Sequence, residues 1–448
     1  MVKKEKIEYI FLILYYLLLV VLFMSWTDVN SVPGSIARLG FLAALLVPAY
    51  VLEKRLLPAV IALFLSASTH GYSSSYMPAM MYTYVVLLPI GLIIFRPERL
   101  NDKRPIISQF SILLLYVTII NLVTSFEFQG ISQALIITVC LLCYVDFRDE
   151  NSLHLMSCAF MIASIMLSYN LIRFGGILNS FTMFNEERTG FQDINYSACV
   201  VSLGCMAAIV ELFKNVKNKY ILILSIVTLV ISVWALSMNA SRASLLSIAV
   251  TFTIMAVSSK TRMVYRALIV VTVLYGVWYL YTNDYFALLE KRIEMDSGGG
   301  SGRTDIWMIK INAFMDHSNF LQFILGWGYT GGRDLAMDRL KTLGFHNDYL
   351  AFLVEYGIVG AVIFYRLHFQ PIWQSLKKHN NLIVVAALTG GLFVICFTLE
   401  PFAAGRVPYY FFWLYILWWA KAIPNMSANI IQKNIKLNNE SVDDRSAA

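Results

Sequence analysis

Residues 1–23 read MVKKEKIEYIFLILYYLLLVVLF, and their apolar part is long enough to cross a bilayer, since about 20 such residues span the hydrocarbon core as a helix. The stretch begins like a secretory signal but has no small-residue cleavage site, so we predict an uncleaved first span. Similar runs recur along the 448 residues, of which 58% are hydrophobic and 14% are charged. Globular proteins carry about 25% charged residues, so the composition indicates a polytopic membrane protein.

The apolar runs predict an all-α fold of about fourteen transmembrane helices. The predicted spans are 8–26, 37–52, 56–71, 76–95, 105–124, 129–146, 153–172, 196–213, 220–238, 243–258, 264–281, 347–365, 382–399 and 408–421. The chain is thereby divided into N-terminal transmembrane helices (1–281, about eleven spans), a long loop (282–346), C-terminal transmembrane helices (347–421) and a tail (422–448) that is predicted to be disordered.

The distribution of Lys and Arg predicts the orientation. With a cytoplasmic N-terminus, about 23 of the 35 Lys and Arg residues fall on the cytoplasmic side, as the positive-inside rule requires. Both termini are therefore predicted to be cytoplasmic. The long segments 173–195 and 282–346 then face outward, and no cytoplasmic loop has room for a nucleotide-binding domain. We expect the chemistry on the outer face, where a donor must carry its own activated bond, such as a lipid-linked diphosphate.

The cysteines and histidines do not suggest a metal or redox centre. All six cysteines lie in apolar runs and are predicted to be buried thiols, including the CxxC pair Cys140 and Cys143, which has no second pair. The six histidines form no HxxxH motif and the sequence contains no DxD motif, so we expect no cofactor.

A candidate anion site lies within the long loop. The glycine-rich sequence DSGGGSGRTD at 296–305 leads into a predicted helix, with Thr304 as its N-cap. Arg303 precedes the positive end of that helix, where a guanidinium and backbone amides can bind an anion. The alternative is a flexible linker with a solvated arginine. The predicted helix places four apolar residues on one face, which would lie against the membrane surface or the helix bundle: Trp307, Ile311, Phe314 and Met315.

The glycines that follow spell GxGxxG at Gly326, Gly328 and Gly331. A dinucleotide site would need a strand–helix–strand unit of roughly 30 residues. The loop is too short and faces the wrong side, so we predict a tight turn instead.

His346 stands at the outer mouth of the span predicted at 347–365. Its imidazole titrates near neutral pH and could take a proton from a hydroxyl group, although a helix-capping role is an equal alternative. On a continuous helix Glu355 would face the opposite side, roughly 13 Å deeper, and Asp348 would also be off the face. A carboxylate that orients His346 must therefore come from elsewhere in the chain.

Several arginines could form a basic basin on the outer face that suits a diphosphate or an acidic sugar. Arg242 occupies a very short turn, and Arg406 occupies a similar one with Glu400 as a candidate ion-pair partner. Arginine fits phosphate well because its planar fork engages two oxygens. Anchoring at the interface is the alternative for these residues. The other members are Arg173, Arg188, Arg333, Arg339 and Lys341.

An ordered set of motifs resembles the O-antigen polymerase/O-antigen ligase superfamily. The set comprises SRxS at 241–244, SGR…W at 301–307, GxG at 326–328 and HNxYLxxLxExGxxG at 346–360. The resemblance covers roughly 240–365 and implies a metal-independent, inverting glycosyltransferase of the GT-C type in the bacterial inner membrane, with undecaprenyl-diphosphate-linked glycan as its substrate.

The resemblance also implies roles for individual residues. Arg242 and Arg303 would bind the donor diphosphate, and His346 would activate the acceptor hydroxyl. Candidate substrate-binding residues are Arg173, Arg188, Arg333, Arg406, Asn347, Tyr349 and Trp307. The implied partners are lipid-linked oligosaccharides, membrane lipid and a chain-length regulator protein, and no nucleic acid is expected.

Three functions are compatible with these features. A polymerase joins lipid-linked repeat units, whereas a ligase moves finished glycan onto lipid A-core. The number of spans and the second long outer segment, 173–195, favour a polymerase. A lipid-linked oligosaccharide flippase is an alternative of another class, but it would need a wide cationic cavity among its helices and would not need His346.

Overall fold

The structure is a computed structural model, and it describes residues 105–124, 135, 150–173, 194–214, 218–238, 241–258, 263–284, 303–335, 344–378 and 381–422. These residues form helices and no strand, which confirms the predicted all-α class. The helices are α1 (Pro105–Thr124), α2 (Glu150–Arg173), α3 (Ile194–Lys214), α4 (Lys219–Met238), α5 (Arg242–Ser258), α6 (Met263–Thr282), α7 (Arg303–His317), α8 (Phe320–Leu325), α9 (Gly328–Asp334), α10 (Asp348–Lys378), α11 (Leu382–Thr398) and α12 (Val407–Lys421).

Most predicted spans in the described part of the chain coincide with a helix to within about three residues. They correspond to α1–α6, α11 and α12. Each of these helices is an apolar run bounded by polar or charged residues, which is why hydropathy locates it. The predicted spans 8–26, 37–52, 56–71 and 76–95 lie outside the described residues, as do 129–146 apart from residue 135 and the tail beyond residue 422.

Small residues allow α2, α3 and α4 to pack closely. A Cβ atom on Gly204 of α3 would come within 2.3 Å of the Ser164 Cβ atom on α2. The Ser164 hydroxyl donates to the carbonyl of Val201 on α3 at 2.7 Å and lies 2.9 Å from the hydroxyl of Ser232 on α4. Small residues and interhelical hydroxyl bonds are typical of helix packing within a bilayer, where lipid offers no hydrophobic drive for association.

Side-chain contacts define the relative directions of the helices. α2 and α3 are antiparallel, since Ser164 contacts Val201 and His154 contacts Glu211. α5 and α11 are also antiparallel. Thr251 donates to the carbonyl of Ala387, and one helical turn earlier on α5, Ser247 lies next to Gly391, one turn later on α11.

These directions collect several helix ends at one end of the bundle, which we call the loop end. It contains the C-termini of α2, α4 and α11 and the N-termini of α3, α5, α10 and α12. The segments predicted to face outward therefore begin or finish at the same end. The opposite end has its own polar contacts, in which Lys214 donates to Asn381 at 2.7 Å and lies 4.3 Å from the ring of Trp419.

α10 is a helical hairpin and not a continuous span. Gly357 has φ 64° and ψ −171°, and the chain reverses there between a first arm, 348–356, and a second arm, 358–378. Phe352 stacks on Phe364 with ring centroids 3.9 Å apart, and Tyr365 donates to the carbonyl of Tyr349 at 3.1 Å. A straight helix would separate residues 352 and 364 by about 18 Å. The prediction of one helix over 347–365 is therefore wrong, because a glycine in a non-helical conformation interrupts the apolar run.

Apolar side chains are exposed along the outer helices. α6 carries Val264, Leu268 and Trp278, which are 78%, 62% and 57% exposed. Among the described residues, Lys219–Ser237 and Asp348–Lys378 are long and apolar enough to cross a bilayer, and five shorter apolar helices accompany them. Within Asp348–Lys378, the second arm of α10 is about 31 Å long at 1.5 Å per residue, which is enough to cross the bilayer without the first arm.

Candidate active site

His346 lies at the loop end, just before the first arm of α10. Its backbone has φ 51°, in the left-handed region, which costs an L-residue other than glycine about 1–2 kcal/mol. Such a conformation persists only where neighbouring contacts determine it. The side chain is half-buried, so the imidazole sits at the boundary between the bundle and its surroundings.

The preceding residue, Phe345, is fully buried and supplies part of that support. Its N–H group donates to Oε2 of Glu400 at 2.7 Å. Its carbonyl oxygen accepts a hydrogen bond from Nε1 of Trp307 at 2.8 Å. Both polar groups of the residue before His346 are thus bonded to side chains from other elements.

The residues after His346 are fixed as well. Asn347 is the N-cap of α10, because its side-chain oxygen accepts a hydrogen bond from the N–H of Leu350 at 3.1 Å. The buried carboxylate of Asp348 accepts the N–H groups of Phe402 at 3.2 Å and Ala403 at 2.8 Å. These contacts attach the start of α10 to the turn between α11 and α12. A role for Asn347 in substrate binding stays a prediction.

Glu400 lies close to His346. A Cβ atom built on Gly344 would lie 2.8 Å from Oε1 of Glu400 and 3.8 Å from Cε1 of His346, so these two atoms are at most 6.6 Å apart. The sequence predicts that any carboxylate that orients His346 comes from outside the helix that follows it. Glu400 lies in the turn after α11, outside that helix and near His346, whereas Asp348 is engaged with the turn.

Arg333 lies between two buried carboxylates. Its Nε atom is 3.2 Å from Oε1 of Glu355, and its Nη1 atom donates to Oε1 of Glu400 at 3.1 Å. Its guanidinium also stacks over the ring of Tyr329 at 4.2 Å. The sequence predicts Arg406 as a candidate ion-pair partner of Glu400. In the structure the Glu400 carboxylate accepts hydrogen bonds from Arg333 and from the Phe345 N–H group. Because its charge is balanced in this way, Arg333 is better suited to organising the site than to holding a diphosphate.

Lys310 is buried beside this group of charges. Its ammonium donates to the carbonyl of Arg333 at 2.5 Å and lies 5.0 Å from the ring centroid of Phe345. Burial lowers the pKa of Lys310 to about 8, and the nearby Arg333 charge acts in the same direction. Lys310 therefore sits at an inner position of α7, although a lysine in a helical pattern usually indicates the outer face.

The position of Lys310 divides the apolar face predicted for α7. The buried stripe of this helix runs through Trp307, Lys310 and Phe314 at helical spacing, with Trp307 half-buried. Ile311 and Met315 are exposed by 37% and 60%. Trp307 and Phe314 of the predicted apolar face thus pack inward beside Lys310, whereas Ile311 and Met315 are exposed, and contact of these two residues with the membrane surface stays a prediction.

The glycines of the motifs allow two backbones to touch. A Cβ atom on Gly326 would come within 2.3 Å of the Glu355 carbonyl oxygen, and one on Gly357 would come within 2.3 Å of the Ile324 carbonyl oxygen. Gly326 is the C-cap of α8 with φ 91°. The prediction of a tight turn at the GxG motif is confirmed, since only one residue separates Gly326 from the start of α9 at Gly328. The turn secures the tip of the α10 hairpin.

Tyr349 lies in an aromatic cluster. Its ring centroid is 5.3 Å from Tyr365, 5.7 Å from His368 and 5.2 Å from Phe393. Its hydroxyl is 3.4 Å from Nε2 of His368. These contacts connect the two arms of α10 with α11, and a role for Tyr349 in substrate binding stays a prediction.

Three of the predicted arginines lie at the starts of helices. Arg242 is the first residue of α5, whose next turn meets α3 through Ser244 and Cys199 at 3.3 Å. Arg303 is the first residue of α7, one turn before Trp307. Arg406 is the N-cap residue of α12, directly after the turn that Asp348 binds.

The predicted basic basin has three further arginines and a lysine. Arg173 ends α2 at the loop end. Arg188 lies outside the described residues, as do Arg339 and Lys341. Their predicted participation in a basic basin remains a prediction.

Sequence reasoning missed the roles of Lys310 and Tyr116. The Tyr116 hydroxyl on α1 donates to the carbonyls of Tyr356 at 2.8 Å and Leu325 at 3.1 Å, so it bridges the hairpin tip and the C-terminus of α8. Nothing in the local pattern around residue 116 indicates such a contact. For Lys310, the signal was its spacing of three residues from Trp307 and four from Phe314, which is the spacing of a buried stripe.

Four of the cysteines are described, and all are buried thiols, as predicted. They are Cys158, Cys199, Cys205 and Cys396; Cys140 and Cys143 lie outside the described residues. Within the described ranges, no three His, Cys, Asp or Glu side chains are grouped so that they could hold a metal ion.

The arrangement combines a histidine at a solvent boundary with arginines at helix N-termini. A histidine can accept a proton from a hydroxyl group. Arginines beside the positive ends of helices can neutralise a phosphate that gains charge. The loop end thus contains groups for both sides of a group transfer from a phosphate leaving group.

Comparison with known proteins supports the resemblance found in the motifs. Residues 227–365, roughly a third of the chain, match the family described as O-antigen ligase. The match runs from α4 to the second arm of α10 and includes Arg242, Arg303 and His346, whereas Glu400 lies beyond it. It confirms the similarity to the O-antigen polymerase/ligase superfamily. No curated protein matched the chain. The family consists of membrane proteins, and it suggests a glycosyltransferase-like enzyme that acts on lipid-linked glycans.

Proposed function

We propose that this chain is a surface-polysaccharide (O-antigen) polymerase that joins undecaprenyl-diphosphate-linked repeat units at the periplasmic face of the bacterial inner membrane. The observation that carries the proposal is the position of His346 at the loop end, where Arg242, Arg303 and Arg406 also begin or precede helices. Both termini lie in the cytoplasm. A chain-length regulator is a further partner.

The reaction is an inverting displacement without a metal ion. His346 takes the proton of the acceptor hydroxyl as its oxygen attacks the anomeric carbon of the donor sugar. The bond from that carbon to the diphosphate oxygen breaks, and undecaprenyl diphosphate leaves from the opposite face. Arg242 and Arg303 stabilise the charge that this diphosphate gains. Removing one such preorganised donor typically costs about 3–4 kcal/mol in the transition state, and a general base contributes roughly 10²–10⁴-fold.

Ligase activity is the second candidate, because the matching family is described as O-antigen ligase. In that reaction the same donor chemistry transfers the finished glycan to lipid A-core. Two features favour the polymerase. The sequence predicts more spans than we expect of a ligase, and the segment 173–195 provides additional outer surface, with Arg173 at the loop end.

Deleting the gene in its source strain and examining the lipopolysaccharide on a gel separates these functions. A core with one repeat unit and no ladder indicates a polymerase, whereas bare core with polymer on the lipid carrier indicates a ligase. An unchanged ladder directs the search to capsule or exopolysaccharide.

Complementation tests the role of His346. We expect His346→Ala to fail to restore polymer, while His317→Ala restores it, because His317 is an exposed histidine of the same loop. Both variants are checked for membrane expression. Full rescue by His346→Ala contradicts the proposed mechanism, and a flippase would show that result.

A further inference from the structure

One neighbour that supports the strained backbone of His346 is Phe345. Phe345 is fully buried, and its two peptide groups are bonded to side chains from different parts of the chain. The N–H group is held by Glu400, 2.7 Å away, from the turn between α11 and α12. The carbonyl is held by Trp307, 2.8 Å away, from the second turn of α7.

We infer that Glu400 and Trp307 form a clamp on Phe345 that positions His346 for proton transfer, so both are positioning residues. This inference rests on the proposed function. The clamp sets the location of the His346 backbone relative to two elements that carry candidate diphosphate ligands. Trp307 lies four residues after Arg303 on α7, and Glu400 lies six residues before Arg406. The clamp therefore fixes the position of His346, the proposed base, relative to the residues proposed to bind the donor diphosphate.

Buried charges hold the clamp itself in place. Oε1 of Glu400 accepts a hydrogen bond from Arg333, and Glu355 binds the other side of that guanidinium at 3.2 Å. With Oε1 held in this way, Oε2 is directed at the Phe345 amide. The Lys310 ammonium lies over the Phe345 ring at 5.0 Å. Hydrogen bonds to charged groups are about twice as strong as neutral ones, which suits a carboxylate that must fix a strained segment.

The contacts of Trp307 favour this role over substrate binding. Its indole N–H is bonded to the Phe345 carbonyl, and its ring packs edge-on against Phe397 with centroids 5.3 Å apart. The polar atom of the side chain is thus directed into the protein. A hydrogen bond from the Trp307 indole to substrate would require this bond to Phe345 to be given up.

The test measures polymer formation by the purified full-length protein in lipid nanodiscs, with lipid-linked repeat units as substrate. Trp307→Phe removes the indole N–H and keeps an aromatic ring, and Glu400→Gln weakens the hold on Arg333 and Phe345. Trp327→Phe is the matched control, because its indole N–H donates to Ser318 at 2.8 Å and does not touch Phe345. Thermal unfolding is recorded for every variant, and Glu400→Asp replaces Glu400→Gln if the latter does not fold.

Misplacing a reacting group by about 1 Å costs roughly 10²-fold in rate. We therefore expect kcat to fall about 10–100-fold for the two clamp variants, with KM for the lipid-linked substrate nearly unchanged and with Trp327→Phe close to wild type. A rise in KM at unchanged kcat would overturn the clamp and make Trp307 a substrate ligand. Wild-type kinetics in both clamp variants would overturn it too. Wild-type kinetics in His346→Ala would instead refute the proposed function.

Discussion

Two arginines of the long loop show how local surroundings determine what a guanidinium can do. Arg333 is bonded to the carboxylates of Glu355 and Glu400, so its charge is balanced within the protein. Arg303 begins α7, at the end of the helix where the helix dipole is positive. The two residues are equivalent in a list of basic side chains, and only their positions in the fold distinguish an organising arginine from a candidate ligand of phosphate.

We predict that Arg303→Lys is nearly as damaging as Arg303→Ala. Arginine engages two phosphate oxygens through a planar fork, and lysine offers a single compact charge. Losing an oriented donor costs roughly 10²–10³-fold in turnover. Polymer yield and transfer rate in the purified system measure the effect, with Lys378→Ala at the opposite end of the bundle as a control. A near-normal rate for Arg303→Lys would rule out two-oxygen binding.

The buried Lys310 predicts a pH dependence of stability. Its pKa is about 8 in the folded protein and 10.5 in an exposed chain. Between these values the unfolded chain binds the additional proton, so this residue makes the protein more stable as the pH rises from about 8 to 10.5.

Lys310→Met lacks this titration and retains an unbranched side chain. We expect the difference in thermal midpoint, wild type minus variant, to increase by a few degrees between pH 7.5 and pH 10, since about 1 kcal/mol shifts the midpoint by a few degrees. Thermal unfolding in detergent at both pH values gives the difference. A constant difference would show that the ammonium keeps its ordinary pKa.

At the scale of elements, hydropathy predicts helices well and reversals poorly. The bounds of α1 and α4 follow from apolar runs between polar residues, and the sequence places both to within a residue. The reversal within α10 cannot be read from the sequence. Gly357 and Gly360 lie in an apolar run, and glycines are also common in transmembrane helices without a reversal. What decides the conformation is the approach of Gly326 from another segment, and single-sequence patterns do not report such contacts.

For the candidate site too, local sequence patterns predict some residues, and tertiary contacts decide the others. The sequence identifies His346, Arg242 and Arg303 because they lie in motifs. It also shows that the carboxylate near His346 must come from outside the helix that follows. It could not select Glu400, because the partnership depends on how α11 ends beside Phe345, which is a tertiary contact over 55 residues.

The hairpin tip predicts a sharp difference between two glycines. Gly357→Ala places a Cβ atom 2.3 Å from the Ile324 carbonyl oxygen at φ 64°, so we expect a loss of at least about 2 kcal/mol and little active protein. Gly276→Ala is the matched control, since nothing lies within 4 Å of its Cβ position. In the middle of α6 it should be neutral or gain up to about 1 kcal/mol. Thermal unfolding and polymer yield report both, and equal stability of the two variants would argue against the hairpin.

At the scale of the whole molecule, the loop end and the opposite end should lie on different sides of the membrane. Asp316 on α7 and Lys378 at the end of α10 are both exposed and lie outside the candidate site. We predict that Asp316→Cys reacts in intact spheroplasts with a membrane-impermeant thiol reagent and that Lys378→Cys reacts only after permeabilisation.

The described native cysteines are buried, so they provide a low background for this labelling. The unsubstituted protein is the control for the cysteines outside the described residues. Reaction of Lys378→Cys from outside, or of both variants from the same side, would contradict the predicted orientation.

The bridge made by Tyr116 sets an order of events during biosynthesis. Its hydroxyl bonds to a carbonyl 240 residues further along the chain. At about 5–20 residues per second, roughly 12–48 s separate the synthesis of the donor from that of its acceptor. During this interval α1 is already in the membrane, and the segment that it will hold does not yet exist. Closure of the tip, and with it completion of the site around His346, is therefore a late step that follows translation of nearly all the membrane helices.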